Sequence, residues 1–338
     1  MAKVGLLLVN LGTPDDPGTS SVRRYLKQFL LDERVIDVNW LLRNFLVRGI
    51  IAPFRAFSSS KLYKELWTKD GSPLKFYGYK VEKSLQEKLG DDVVVKLAMR
   101  YQNPCIESAL EELRKENVDK IVVFPMFPQY ASASTGSALQ ETMNVVSKWL
   151  TIPEISFISS YHKQPTMIKV YAENARKMGL ENYDHFLFSF HGIPQRQLTK
   201  SDCNNYCLKA ENCCRSINEK NKMCYSAQCY ETADKIAEQL SLKQDQYSVS
   251  FQSRLGRDPW TEPFTPDMLK ELLAKGHKNL LVFSPSFTSD CLETTIEIGL
   301  EYKEDYAEMG GGKLDLVESL NDNPLWIDAI EEIVKPYL

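Results

Sequence analysis

Short runs rich in Val, Ile and Phe recur along the chain, each followed by a longer stretch of helical periodicity, and nothing else in the sequence narrows the fold so far. The runs occupy residues 4–11, 93–99, 120–127, 155–160, 185–190, 248–252, 279–283 and 314–317. A strand covered on both faces reads as a near-continuous apolar run, and parallel neighbours need a long crossover, which a helix supplies. Residues 106–116, 137–150, 227–240, 267–274 and 294–306 have the polar faces and lengths of such helices. The class is α/β, with parallel sheets wrapped by helices.

The chain also echoes itself. The run ending Asn10-Leu11-Gly12-Thr13-Pro14 has a counterpart ending Phe190-His191-Gly192-Ile193-Pro194. Val123-Phe124-Pro125-Met126-Phe127, then Ser132, resembles Val282-Phe283-Ser284-Pro285-Ser286-Phe287, then Ser289. A length of 338 residues leaves room for two domains, each with its own core. The division expected is residues 1–150, joined by the C-terminal helix 321–338, and residues 151–320, which carry the cysteine-rich insertion. Two doubly wound halves would present their functional loops at the carboxyl ends of the strands, facing one another across a cleft.

Several classes of function are disfavoured. A formal charge of -4 gives no basic face for nucleic acid. Neither G-x-G-x-x-G nor G-x-x-x-x-G-K-[ST] occurs, so no loop of the usual kind awaits a dinucleotide or nucleotide phosphate. Gly310-Gly311-Gly312 follows a helix and precedes a strand, as a turn does. No stretch reaches the roughly 18 consecutive apolar residues of a spanning helix, and residues 4–9 lack the features of a signal peptide. A cytoplasmic location is expected. In a reducing compartment clustered thiols bind metal more often than they form disulfides, and six of the eight cysteines lie between Cys203 and Cys229.

Candidate chemistry gathers at strand ends. His191 closes an apolar run ahead of Gly192 and Pro194. Imidazole there can take a proton or hold a transition metal, or simply be a hydrogen-bonded core residue, and its partners decide. Glu293, Glu297 and Glu301 recur every four residues along one helix, with Asp290 near its start. This is either a solvated acidic face or, beside the histidine, a ligand set and proton relay suited to ferrous iron. Trp260, among polar and proline-rich residues, is either structural or a flat wall for a flat ligand. Arg100 and Tyr101 end another strand, where a guanidinium suits a carboxylate or a salt bridge.

Phe188-Ser189-Phe190-His191-Gly192-Ile193-Pro194 is very similar to the ferrochelatase active-site signature. Residues Leu8 to Pro14, Arg100-Tyr101, Pro128-Gln129-Tyr130 through Ser137, Gln252-Ser253-Arg254 with Trp260, and Ser289 to Thr294 resemble that family in the same order. The resemblance implies two Rossmann-like halves of chelatase type, and insertion of Fe2+ into protoporphyrin IX with release of two protons. It implies that His191 and Glu293 are catalytic, and that His191, Glu293, Glu297 and Asp290 handle the substrate iron. It further implies that Leu11, Arg100, Tyr101, Tyr130, Trp260 and Phe287 contact the porphyrin. A coproporphyrin or other tetrapyrrole chelatase, and a non-catalytic haem or metal carrier, are the alternatives.

The sequence departs from the commoner family pattern twice. Cys291 stands where many members have histidine, and a cysteine-rich insertion, residues 201–224, interrupts the stretch after Pro194. The insertion supplies more thiolates than a 2Fe-2S cluster needs, and it lacks the paired C-x2-C knuckles usual for zinc. Some relatives carry such a cluster, and the ligands expected are Cys207, Cys213, Cys214 and Cys224, with Cys203 and Cys229 in reserve. Residues 29–57 mix Trp, Leu, Ile, Phe and Arg. They are either packed helix faces or, as the resemblance suggests, a lip that lets the protein touch the inner face of a membrane.

Overall fold

The computed structural model describes residues 3–209, 212–256 and 258–338. The chain divides into two compact units. One runs from the first strand through Phe127 and adds Ala131–Ser159 and Ile330–Leu338; the other holds Pro128–Tyr130 and Ser160–Ala329.

All eight expected strands form, four in each unit. In the first unit they are β1 (Val4–Gly12), β2 (Val93–Tyr101), β3 (Lys120–Pro125) and β4 (Glu154–Phe157), in the order β2-β1-β3-β4. Every pairing is parallel. Residues 4–10 of β1 are buried without a break, as befits a central strand covered on both faces. Leu7, Val9, Ile121 and Val123 pack on Leu110, Leu113, Ala138 and Val145 from the flanking helices.

The second unit repeats the plan with β5 (His185–His191), β6 (Tyr247–Gln252), β7 (Leu280–Phe283) and β8 (Leu314–Leu316), ordered β6-β5-β7-β8 and all parallel. Leu187, Leu280 and Val282 pack on Leu269, Leu272, Ile298 and Tyr306. The order of strands is therefore the same in both units. The strand-end echoes of the sequence fall on β1 and β5, and on β3 and β7.

The helical periods conceal one difference. The segment expected as an α-helix over 294–306 is a π-helix over Leu292–Tyr302 that tightens into an α-helix at Lys303–Glu308. A shorter π turn, Ser132–Gly136, follows β3 in the first unit. Such i→i+5 turns are rare and gather at functional sites.

Candidate active site

In the order β6-β5-β7-β8 the chain leaves β5 toward one side and later comes back to β7 on the other. The carboxyl ends of β5 and β7 are therefore the switch point, the place where an open α/β sheet displays its ligand site. His191 is the last residue of β5 and half-buried. Its Nδ1 lies 2.7 Å from Gly192 O. A carbonyl oxygen only accepts, so in the neutral imidazole Nδ1 carries the proton and Nε2 keeps its lone pair. Phe287, just past β7, meets the imidazole edge-on with ring centres 6.2 Å apart.

Trp260 closes over the turn that follows. A Cβ on Gly192 would stand 2.8 Å from Gln252 O and 3.3 Å from the Trp260 ring, so only glycine admits this approach. Thr261 N donates to Ile193 O at 2.9 Å and Gln195 Nε2 to Trp260 O at 3.0 Å, which fixes the indole through its backbone. Among the described residues its buried Nε1–H has no hydrogen-bond partner.

The head of the π-helix is built around three carboxylates with different duties. Glu293 is half-buried, and Gln252, which pairs in register with His191, donates from Nε2 to the Glu293 carbonyl at 3.0 Å. Glu297 accepts from Gln252 Nε2 at 3.0 Å, Ser253 N at 3.0 Å, Ser253 Oγ at 2.6 Å and Tyr302 Oη at 2.8 Å. Four donors occupy about as many lone-pair sites as a carboxylate has. Asp290 is clamped by Asn321, which accepts from Asp290 N at 2.9 Å and donates to Asp290 Oδ2 at 2.8 Å. Glu301 is exposed. Among the described residues no three metal-ligating side chains converge on a common point, so His191, Glu293, Glu297 and Asp290 do not stand as one preformed ligand set.

Cys291 caps the π-helix: its sulfur accepts from Thr294 N, while Cys291 N donates to Thr294 Oγ1 at 2.9 Å. Burial, and then the neighbouring Glu293 carboxylate, push its thiol well above the ordinary range.

In the first unit, Leu11 is half-buried near the end of β1. Arg100 and Tyr101 are both engaged by Asp32. Tyr101 is fully buried with its hydroxyl 2.9 Å from Asp32 Oδ2, so it has no surface to offer. Arg100 pairs with the same oxygen at 2.8 Å, and its Nε donates to Ser137 Oγ at 2.7 Å. This is an internal ion pair that organises the end of β2. Tyr130, in the second unit, is half-buried, with its backbone N–H held by Gln228 Oε1 at 2.8 Å.

The cysteine-rich segment folds against the helix Tyr225–Gln239 of the second unit. Arg215 grips Asp234 of that helix through two bonds of 2.7 and 2.9 Å, and Asn221 ties Cys213 O at 2.7 Å. Cys213 and Cys214 sulfurs are 3.3 Å apart, those of Cys214 and Cys224 are 3.8 Å apart, and Cys207 is hydrogen-bonded to Cys224. Leu208 N donates to Cys213 Sγ at 3.0 Å. The hydrogen bond with Cys214, and then the amides of Ala227 and Ser226 at the helix start, bring the Cys224 thiol down to about 6. Burial and then Cys224 push Cys207 up to about 12. Cys203 is exposed, and Cys229 is fully buried beside Tyr225, apart from this chain of sulfurs.

The sequence alone assigned no role to the residues that hold these groups in place, namely Gln252, Ser253, Tyr302 and Asn321. Gln252 and Ser253 were legible as part of a motif, though without a role. Asn321 adopts a left-handed φ of 47° at no position that a single sequence marks.

Residues 3–338 match the family model for ferrochelatase. The chain belongs to the ferrochelatase family. It is 42% identical over 330 residues to a ferrochelatase of Legionella pneumophila (strain Lens), covering 98% of each chain. It is 44% identical over 340 residues to that of Coxiella burnetii (strain Dugway 5J108-111), covering 99% of this chain and 94% of the relative. Membership makes the protein a metal chelatase, a lyase of a family whose substrates are a porphyrin and ferrous iron. Among solved structures, SirB from Bacillus subtilis with Fe3+ aligns with a TM-score of 0.54 at 13% identity, over 98% of this chain and 94% of that one. CbiX, the terminal enzyme for siroheme biosynthesis in denitrifying bacteria, aligns at 0.50 and 12%, over 99% of both chains. These likenesses establish the chelatase fold.

Proposed function

We propose that the enzyme inserts Fe2+ into protoporphyrin IX, with His191 Nε2 as the base that receives the pyrrole protons. The observation that carries this reading is the switch-point geometry: Nε2 is left with its lone pair at the tip of β5, and one glutamine, Gln252, binds the Glu293 backbone beside it. A porphyrin guards its four nitrogens with two N–H protons, so the metal enters only as a base removes them. His191 Nε2 takes them one at a time without first losing a proton, because its Nδ1–H is committed to Gly192 O, and the first passes from the imidazolium to water before the second is taken. Glu293 supplies the negative charge that offsets the dication as it sheds water. Asp290, steadied by Asn321, stands at the approach to Glu293 along the chain, and Glu297 acts as a strut through Ser253 and Tyr302. Trp260, Phe287 and Tyr130, all of the second unit, keep partly exposed faces for a flat apolar ring.

The experiment is anaerobic turnover of Fe2+ with protoporphyrin IX, followed by the loss of the free-base Soret band, with coproporphyrin as competitor. His191→Ala and Glu293→Gln are expected to lower kcat by about 10²–10⁴-fold while porphyrin affinity is kept. Preference for coproporphyrin would overturn the substrate assignment, and binding without turnover would favour a carrier.

Two further readings accompany this one. The thiols of Cys207, Cys213, Cys214 and Cys224 fit a 2Fe-2S cluster in donor type and number, and the amide bond to Cys213 Sγ suits a thiolate ligand. When bound, the cluster would supply one-electron redox chemistry and a covalent clasp for the segment. Trp40, Leu41, Phe45, Phe54 and Phe57 are each more than 60% exposed on consecutive helical turns, with exposed Arg48, Arg55 and Lys61 among them. Large apolar rings interleaved with cations suit the interface of an anionic bilayer, which is the membrane contact proposed here.

A further inference from the structure

His191 has an unusual backbone environment. β5 pairs with β7 only as far as Phe188 and Phe283, so beyond that point the last residue of β5 has no strand on that side. Buried main-chain donors and acceptors must find partners, and here two side chains replace the strand. Tyr225 Oη donates to His191 O at 2.7 Å. Ser286 Oγ accepts from His191 N at 3.2 Å and lies 3.1 Å from Tyr225 Oη. The hydroxyl of Ser286 can then donate to the phenol oxygen, closing a ring of three hydrogen bonds around the His191 peptide groups.

Tyr225 is also the first residue of its helix, directly after Cys224. Cys224 N donates to Asn221 O at 2.8 Å, Gln228 N donates to Cys224 O at 3.0 Å, and the Cys224 sulfur lies in the chain of contacts with Cys207 and Cys214. The start of the helix is thus set by the cysteine-rich segment, and the Tyr225 side chain, only 6% exposed, has little freedom of its own.

We propose that Tyr225 is a positioning residue that couples the cysteine-rich segment to the imidazole of His191. Order around Cys224 fixes the helix start, the helix start fixes the phenol, and the phenol fixes the peptide that carries the imidazole. The inference rests on the reading of His191 as the proton-accepting group, and it adds a route by which occupancy of the thiols reaches that group.

The test uses the full chain labelled with 13C-histidine, in which four histidines give few signals and His191→Ala assigns the one that matters. Tyr225→Phe keeps the ring and removes the hydroxyl. The expected result is an unchanged circular dichroism spectrum and porphyrin KM, a kcat lowered about tenfold to a hundredfold, and a shifted or broadened His191 signal with His185 and His277 unmoved. Cys224→Ser is expected to move the same signal, with no further movement when both changes are combined, because coupled sites are non-additive. Ser286→Ala serves as a second probe of the ring should Tyr225→Phe unfold, and it too should displace the His191 signal. An unmoved His191 signal in Tyr225→Phe or in Cys224→Ser overturns the coupling. Full turnover in His191→Ala overturns the catalytic reading instead, and leaves the coupling to be judged by the spectra alone.

Discussion

At the level of single residues, this enzyme spends hydrogen bonds on fixing which atom of each polar group stays available. Gly192 O selects the His191 tautomer, and Asn321 holds Asp290 in place. His185 shows the same economy away from the site. It is buried at the start of β5, donor or acceptor to Ser248 Oγ at 2.9 Å, with its ring tilted 41° against that of His277 at 4.7 Å between centres. Burial, and then the charge of His277, lower its pKa from 6.5 to about 4. Between those values the unfolded chain binds a proton that the folded chain refuses, so stability present at neutral pH is lost as pH falls from about 6.5 toward 4. Urea midpoints at pH 7 and pH 5 should therefore drop less in His185→Gln than in the wild type; an equal drop would show that His185 does not titrate this way. His162, whose pKa burial also lowers, remains as the common background. His191 was legible in the sequence because a strand end followed by Gly and Pro is a local pattern. Asn321 was not, because its value lies in a partner 31 positions away.

Among the elements, the π-helix and the cysteine-rich segment carry what periodicity could not reveal. A repeat of glutamates every four residues is compatible with an α-helix, and only the coordinates show the i→i+5 turn that brings Tyr302 onto Glu297. The strands, by contrast, were plain, since unbroken apolar runs have few other uses. Adjacent side chains usually point apart, yet the sulfurs of Cys213 and Cys214 in the insertion lie 3.3 Å apart. Anaerobic purification should yield visible absorption with iron and acid-labile sulfide near two each per chain if the four thiols hold a 2Fe-2S cluster. Serine at Cys207, Cys213, Cys214 or Cys224 should abolish that absorption, whereas Cys203→Ser and Cys229→Ser should keep it. Zinc without sulfide would refute the cluster while leaving the thiol geometry as described.

At the scale of the whole molecule, each unit closes its own core around four parallel strands in one order. The likeness of the two halves was visible in two short echoes, and the strand order is the same in both units. No helix among the described residues is long and apolar enough to cross a membrane, and the proposed lipid contact falls on the surface bearing the exposed Trp40 and Phe54. Sedimentation with vesicles containing anionic lipid should pull down the wild type at low salt. The triple change Trp40→Ser, Phe45→Ser, Phe54→Ser should reduce binding at least about tenfold, given roughly 1.5–3 kcal/mol for each large apolar side chain fully buried. Equal sedimentation of both proteins would place the contact elsewhere. The shared strand order has one more consequence. Leu11 and His191 occupy the same rung of two ladders with one strand order, so the same tip carries a hydrocarbon in one unit and an imidazole in the other. A strand tip of this kind tolerates either chemistry, because the hydrogen bonds that hold each sheet belong to the main chain and are indifferent to the side chain they carry.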